Sequence, residues 1–195
     1  MTRTVIAVAL LVTAGCENDV AQTTSRRERS SSPTTLELAG IEAEVPAGYE
    51  RLAGEDRDRL AMAASRRDPA AEVEVEGAHP PGTRLGLVLT HIVHDASYGA
   101  GYPVAESAAD AEQLARIGAE SRGIGVETSS ECGERSCDVV FTLRGPDLTT
   151  TTRSRMWRRG GRLVEVGCQC VTTPELDACA LRCELPDAPA DATVE

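Results

Sequence analysis

The sequence predicts an α+β fold: an antiparallel sheet with helices packed mainly on one face, closed by a C-terminal meander and a short helix stapled by disulfides. Three observations predict it. Beyond Gly123, four segments alternate apolar and polar side chains at period two and are separated by tight turn signals. Just before them, Ala105 to Ser121 is alanine-rich with helical spacing. Of the 7 cysteines, all but Cys16 fall between Cys132 and Cys183.

From the start of the chain, Met1 to Gly15 carries one charge (Arg3), an apolar run from Val5 to Val12, and then Thr13-Ala14-Gly15-Cys16. This is the layout of a secretory signal peptide, too short to span a bilayer as a mature helix. Its end resembles the lipobox of bacterial lipoproteins through Ala14, Gly15 and Cys16, with Thr13 where that motif usually has an aliphatic residue. The resemblance implies lipidation of Cys16, a membrane anchor, and residence on the extracytoplasmic side of the cell envelope, with inner or outer membrane left open. The alternative is ordinary cleavage and a soluble secreted product.

Residues 16–34 then read as the lipidated cysteine and a disordered tether, rich in Ser, Thr and Arg. Such a tether reaches on the order of 20–25 Å. A single domain is expected over 35–185, followed by a flexible tail over 186–195.

Within that domain, Leu36, Leu38, Ile41, Ala43 and Val45 suggest a hairpin around Ala39-Gly40. Glu55 to Arg67 fits a short helix or a strand equally well. Val73 and Val75 alternate in a half-exposed strand from Glu72 to Glu76, broken by His79-Pro80-Pro81-Gly82. Leu85 to Val93 is the most apolar run after the signal and reads as a central strand. On the alanine-rich helix the inward stripe is expected at Ala111, Leu114, Ala115 and Ile117, and Gly123 and Gly125 end it.

Four strands follow, Val126 to Cys132, Cys137 to Leu143, Leu148 to Arg158 and Arg162 to Cys170. Their connecting turns are so short that neighbours can pair only antiparallel. On the last strand Cys168 and Cys170 share a face. A helix starting at Pro174, N-capped by Thr173, would put Cys179 and Cys183 on one face at matching spacing. The chain doubles back between the pairs, which favours Cys168–Cys183 nested around Cys170–Cys179, with the crossed pairing as runner-up. Cys132 and Cys137 fit a bridge across the first hairpin. In the chain-entropy account the 168–183 loop contributes ~3 kcal/mol and the hairpin bridge ~2 kcal/mol. A zinc site or a redox thiol pair is the other reading of these cysteines, but no C-x-x-C occurs in the chain.

The chain has 31 acidic residues against 20 basic, all of them arginine, a formal charge of −11. Without Arg3 the balance is 19 against 31, or −12. Such acidity argues against nucleic acid as a partner. Against that background Arg153, Arg155, Trp157, Arg158, Arg159 and Arg162 form a candidate binding patch. Arginine forks suit phosphate or carboxylate, so an anionic lipid, a cell-wall polymer or an acidic envelope protein would fit. The alternative is a solvated strand face whose arginines pair with nearby carboxylates.

Apart from the cysteines, His91, His94 and Asp95 form a metal-like cluster, which would support a metal-dependent or hydrolytic enzyme. On a strand, however, positions three apart face opposite ways. No catalytic residue, metal site or cofactor is expected.

Val45-Pro46-Ala47-Gly48-Tyr49, followed by strands, an alanine-rich helix and more strands, is similar to the entry of Mog1/PsbP-like domains, with Tyr49 where Trp is commoner. The resemblance covers roughly residues 36–170. It implies no enzymatic activity, no cofactor and no catalytic residues. The function expected is a lipid-anchored, non-catalytic binding or accessory module.

Overall fold

The computed structural model describes residues 34–83, 86–180 and 182–195. The expected signal peptide, Cys16 and nearly all of the tether lie outside the described residues. Strand dominates: two antiparallel sheets and two helices account for the body, and every strand pair is antiparallel.

β1 (Thr34–Leu38) and β2 (Ile41–Val45) form the expected hairpin. Its turn residues Ala39 and Gly40 both have positive φ, 50° and 82°, the backbone of the tight turn that suits twisted strands. The segment left open between helix and strand is a helix, α1 (Gly54–Ala64), preceded by the two-residue β3 (Glu50–Arg51). Leu60 to Ala64 offers no alternation for a strand to use, and one buried alanine, Ala63, anchors the helix.

β4 (Glu72–His79) runs past the expected end at Glu76 and pairs with β5 (Leu87–Val93). It can do so because Gly77 leaves room where a Cβ would stand 2.5 Å from Leu52 Cδ1. α2 (Val104–Glu120) is the alanine-rich helix, and β6 (Gly125–Cys132), β7 (Cys137–Arg144), β8 (Thr149–Arg159) and β9 (Arg162–Thr173) are the meander.

The large sheet runs in the order β3-β4-β5-β9-β8-β7-β6. The meander therefore docks through its last strand against β5, and α2 carries the chain from β5 across one face to the far edge. That route explains where α2 packs. Val104, Ala108, Ala111, Ala115 and Ala119 meet Val139, Phe141 and Leu143 of β7, Met156 of β8 and Leu163 of β9. Ile117, expected in the inward stripe, is 46% exposed instead. At about 100° per residue it stands half a turn around from Ala108, while Ala111, Leu114 and Ala115 are buried as expected.

The opposite face of the sheet carries Ala78, Leu87, Leu89, Trp157, Val164, Val166 and Cys168. These are covered by Leu36, Ile41, Ala43 and Val45 of the small sheet.

Past β9 the expected helix does not form. Thr173 Oγ1 accepts the amides of Glu175 (3.3 Å) and Leu176 (3.1 Å), so the threonine caps a turn rather than a helix. The chain comes back as β10 (Leu176–Asp177) on β9, then one 3-10 turn (Ala178–Ala180), then β11 (Cys183–Glu184) against β2.

The cysteine pairing is nonetheless the nested one. Cys168–Cys183, Cys170–Cys179 and Cys132–Cys137 are disulfides, with Cα atoms 6.6, 5.0 and 4.0 Å apart. Cys168–Cys183 joins the large sheet to the small one, because β11 is a strand of the latter.

The last ten residues also differ from the flexible tail that the sequence suggested. Thr193 exchanges both backbone hydrogen bonds with Arg158, Val194 O accepts the amide that opens α2, and Ala188 and Ala192 are buried. Ala188 and Ala192 pack in the same cluster as Trp157, adding to the hydrogen bonds that hold the segment down.

Candidate functional site

Alternation along β8 decides the fate of the arginine cluster. Arg153, Arg155 and Trp157 point to the side of the small sheet, and Arg158 to the side of α2. The six residues therefore do not make one exposed patch. Trp157 is 5% exposed beneath the C-terminal segment, and its indole Nε1 is buried without a hydrogen-bond partner. Arg155 grips Asp138 with two bonds (Nε to Oδ1 2.6 Å, Nη2 to Oδ2 2.9 Å) and also donates to Pro186 O at 2.9 Å. The bond to Asp138 outweighs partial burial and raises its pKa, so this guanidinium is firmly charged.

Arg159 pairs with Asp191 at 3.1 Å, in the C-terminal segment. Arg162 Nε donates to His94 O (2.8 Å) and its Nη2 to Glu72 (2.9 Å).

Arg158 departs furthest from a ligand-binding role. Only 7% exposed, it donates to the carbonyls of Gly99 and Tyr102 in the loop before α2 and of Gly161 in the turn after β8. It is a staple that gathers two loops. Arg153 alone of the six is exposed and without an ion pair among the described residues.

The histidine cluster separates in the same way. His91 lies on β5 with Nδ1 2.8 Å from Glu74 Oε2 of the neighbouring strand. His94 is 2% exposed and stacks on Tyr98 with ring centroids 4.2 Å apart. Its Nδ1 is 3.4 Å from Asp68 Oδ2, but too poorly aligned to hydrogen-bond. Burial lowers the His94 pKa, outweighing the opposite pull of the Glu165 and Asp68 carboxylates, so the ring is neutral near pH 7.

Asp68, itself buried, is occupied by the amides of Ala70 and Asp95 at 3.1 and 2.7 Å. Asp95 accepts the amide and hydroxyl of Ser97. Among the described residues, no group of three or more His, Cys, Asp or Glu side chains converges as metal ligands. His91, His94 and Asp95 are thus brought near in sequence but set to different tasks. Asp68, the true neighbour of His94, lies twenty-six positions upstream, and nothing in its local sequence signals the contact.

What the body offers instead is a shallow cleft of about 320 Å³. It lies between the β6–β7 turn (Gly133 to Ser136) and the start of the C-terminal segment, Asp187 and Ala188, with Arg155 also lining it. Arg155 reaches Asp187 there at 3.4 Å. The turn is fixed by the Cys132–Cys137 bridge at its base. No described helix is long and apolar enough to cross a membrane. No protein-family model matches the chain, and none of the curated proteins searched matches it.

Proposed function

We propose that this chain is a lipid-anchored, disulfide-stabilised cell-envelope protein that acts as a non-catalytic binding or accessory module. The observation that carries this reading is a matter of counting. Of 7 cysteines, the six in the body are consumed by three bridges with one another, which leaves Cys16 with no partner in the chain. An unpaired cysteine directly after an apolar run and Thr13-Ala14-Gly15 is where a lipoprotein carries its acyl chains. Bridges persist in oxidising compartments, so the same count supports an extracytoplasmic location.

On this reading the body is an α+β domain of the Mog1/PsbP-like kind. The strand-to-helix order after Val45-Pro46-Ala47-Gly48-Tyr49 supports that likeness. The partner is an envelope protein or an anionic polymer or lipid. Arg153 is the exposed member of the arginine cluster that makes no ion pair among the described residues, and so is free for such a contact.

The test is mass spectrometry of the N-terminal peptide from the envelope fraction of the producing cell. A diacylglyceryl-modified Cys16 at the new N-terminus is expected, and Cys16→Ser moves the protein out of the membrane fraction. A product cleaved elsewhere and free of lipid overturns the anchor.

A further inference from the structure

The large sheet ends differently on its two sides. On one side β4 is flanked by β3, by the Leu52 amide bonded to Gly77 O, and by α1. On the other, no described strand pairs with the outer edge of β6.

That edge is unusually complete. β6 pairs residue for residue with β7 from Gly125↔Arg144 to Cys132↔Cys137, with no bulge. It contains no proline and no lysine. It is also pinned at both ends, by the Cys132–Cys137 bridge and by Arg144 on Glu127 at 2.9 Å. On its helix side Thr128 is tied to Glu112 and Arg116 of α2. Half the backbone groups of such a strand, about four N–H and four C=O, face outward with no strand to take them. An eight-residue edge with neither proline nor bulge, charged only through Glu127 and Glu131, is a template for one more strand.

Charge selects the occupant. Arg144 and Arg116 are matched by Glu127 and Glu112, whereas Glu131 and Glu134, at the turn end of the strand, make no ion pair among the described residues. Arg135 is the one cation within the turn, and Arg155, which lines the same cleft, is already held by Asp138. A second copy of this chain would bring the same Glu127, Glu131 and Glu134 to the edge. Centring two copies on Ser129 would also set Glu127 against Glu131, a like-charge pair across strands.

We propose that the open edge of β6 docks a basic, extended peptide segment of a partner protein, which adds a strand to the sheet. The proposal gives a partner class to the binding-module reading above, but its test does not depend on the lipid anchor.

The whole protein is titrated with three capped peptides of the length of β6. One alternates arginine with valine, one alternates glutamate with valine, and the third is the arginine peptide with its central valine replaced by proline. Hydrogen–deuterium exchange locates the contact. The arginine peptide should bind saturably and slow exchange on β6, while the glutamate peptide does not bind. The proline peptide should lose most of the affinity, because the missing N–H and the fixed φ interrupt the ladder. Glu131→Arg should weaken the arginine peptide several-fold, and Glu55→Arg on α1 should leave it unchanged.

Absence of binding up to about 1 mM, equal affinity for the proline peptide, or protection away from β6 overturns the proposal. So does concentration-dependent self-association that protects β6, which would give the edge to a second copy.

Discussion

Replacing Arg158 with methionine separates a surface arginine from a structural one. The substitution keeps most of the apolar stem and removes the guanidinium, which donates to Tyr102 O at 2.8 Å, to Gly99 O, and through longer bonds of 3.3 Å to Tyr102 O and Gly161 O. Each well-formed bond from a charged donor is worth about 1.5–3 kcal/mol. The two 3.3 Å bonds count for less, and water can reach the half-exposed loop carbonyls once the side chain is gone. A loss of about 2–4 kcal/mol is therefore expected rather than the full sum. In a chain of this size that corresponds to a fall in Tm of about 5–15 °C.

Urea denaturation of the oxidised protein, followed by circular dichroism, measures it, with Arg153→Ser as the comparison. That exposed, unpaired arginine should change stability by no more than about 0.5 kcal/mol. Local hydrogen exchange should rise over 96–103 in Arg158→Met and stay unchanged in Arg153→Ser. Stability of Arg158→Met within about 0.5 kcal/mol of the parent, together with weaker retention on anionic vesicles, would mean the guanidinium faces solvent and would refute the reasoning.

Three further outcomes are expected. Removing Cys168–Cys183 as a double alanine variant should cost ~3 kcal/mol in guanidinium unfolding, and removing Cys132–Cys137 ~2 kcal/mol, following the lengths of the loops they close; equal losses would contradict that order. Because burial lowers the His94 pKa in the folded protein, its contribution to stability is complete above the unfolded value of about 6.5 and declines as pH falls below it. His94→Phe keeps the stack on Tyr98 and should flatten that part of the stability-versus-pH curve, so an unchanged slope in the variant would sink the assignment. Ala39→Gly should raise stability by about 0.5–1 kcal/mol, since relief of a left-handed alanine exceeds the added freedom of the unfolded chain; a lower midpoint in denaturant would show that no strain is held there.

The sequence was informative wherever a property repeats along the chain. Period-two alternation marked β7, β8 and β9, and alanine spacing marked α2, because each element must present one face to a core. The nested cysteine pairing was legible for the same reason: Cys168 and Cys170 share a face, and the chain reverses after them. It came out right even though the helix meant to carry Cys179 and Cys183 does not exist. The bridges require only that the returning segment lie along β9, and a turn capped by Thr173 achieves that as well as a helix would.

What the sequence could not determine is what lies across from each side chain. The expected patch of six grouped Arg158 with Arg155 and Trp157, although alternation along β8 sets it on the opposite face. Only the path of the 99–103 loop made Arg158 a buried staple, and only the folding back of the C-terminal segment covered Trp157. His94 acquired Asp68 as its neighbour through the packing of two connections far apart in the chain. Local pattern thus set which residues face inward, since backbone geometry acts over a few residues. Long-range closure of the two sheets set which of the polar groups remain free to bind, because a partner for a charge depends on contacts that no local period encodes.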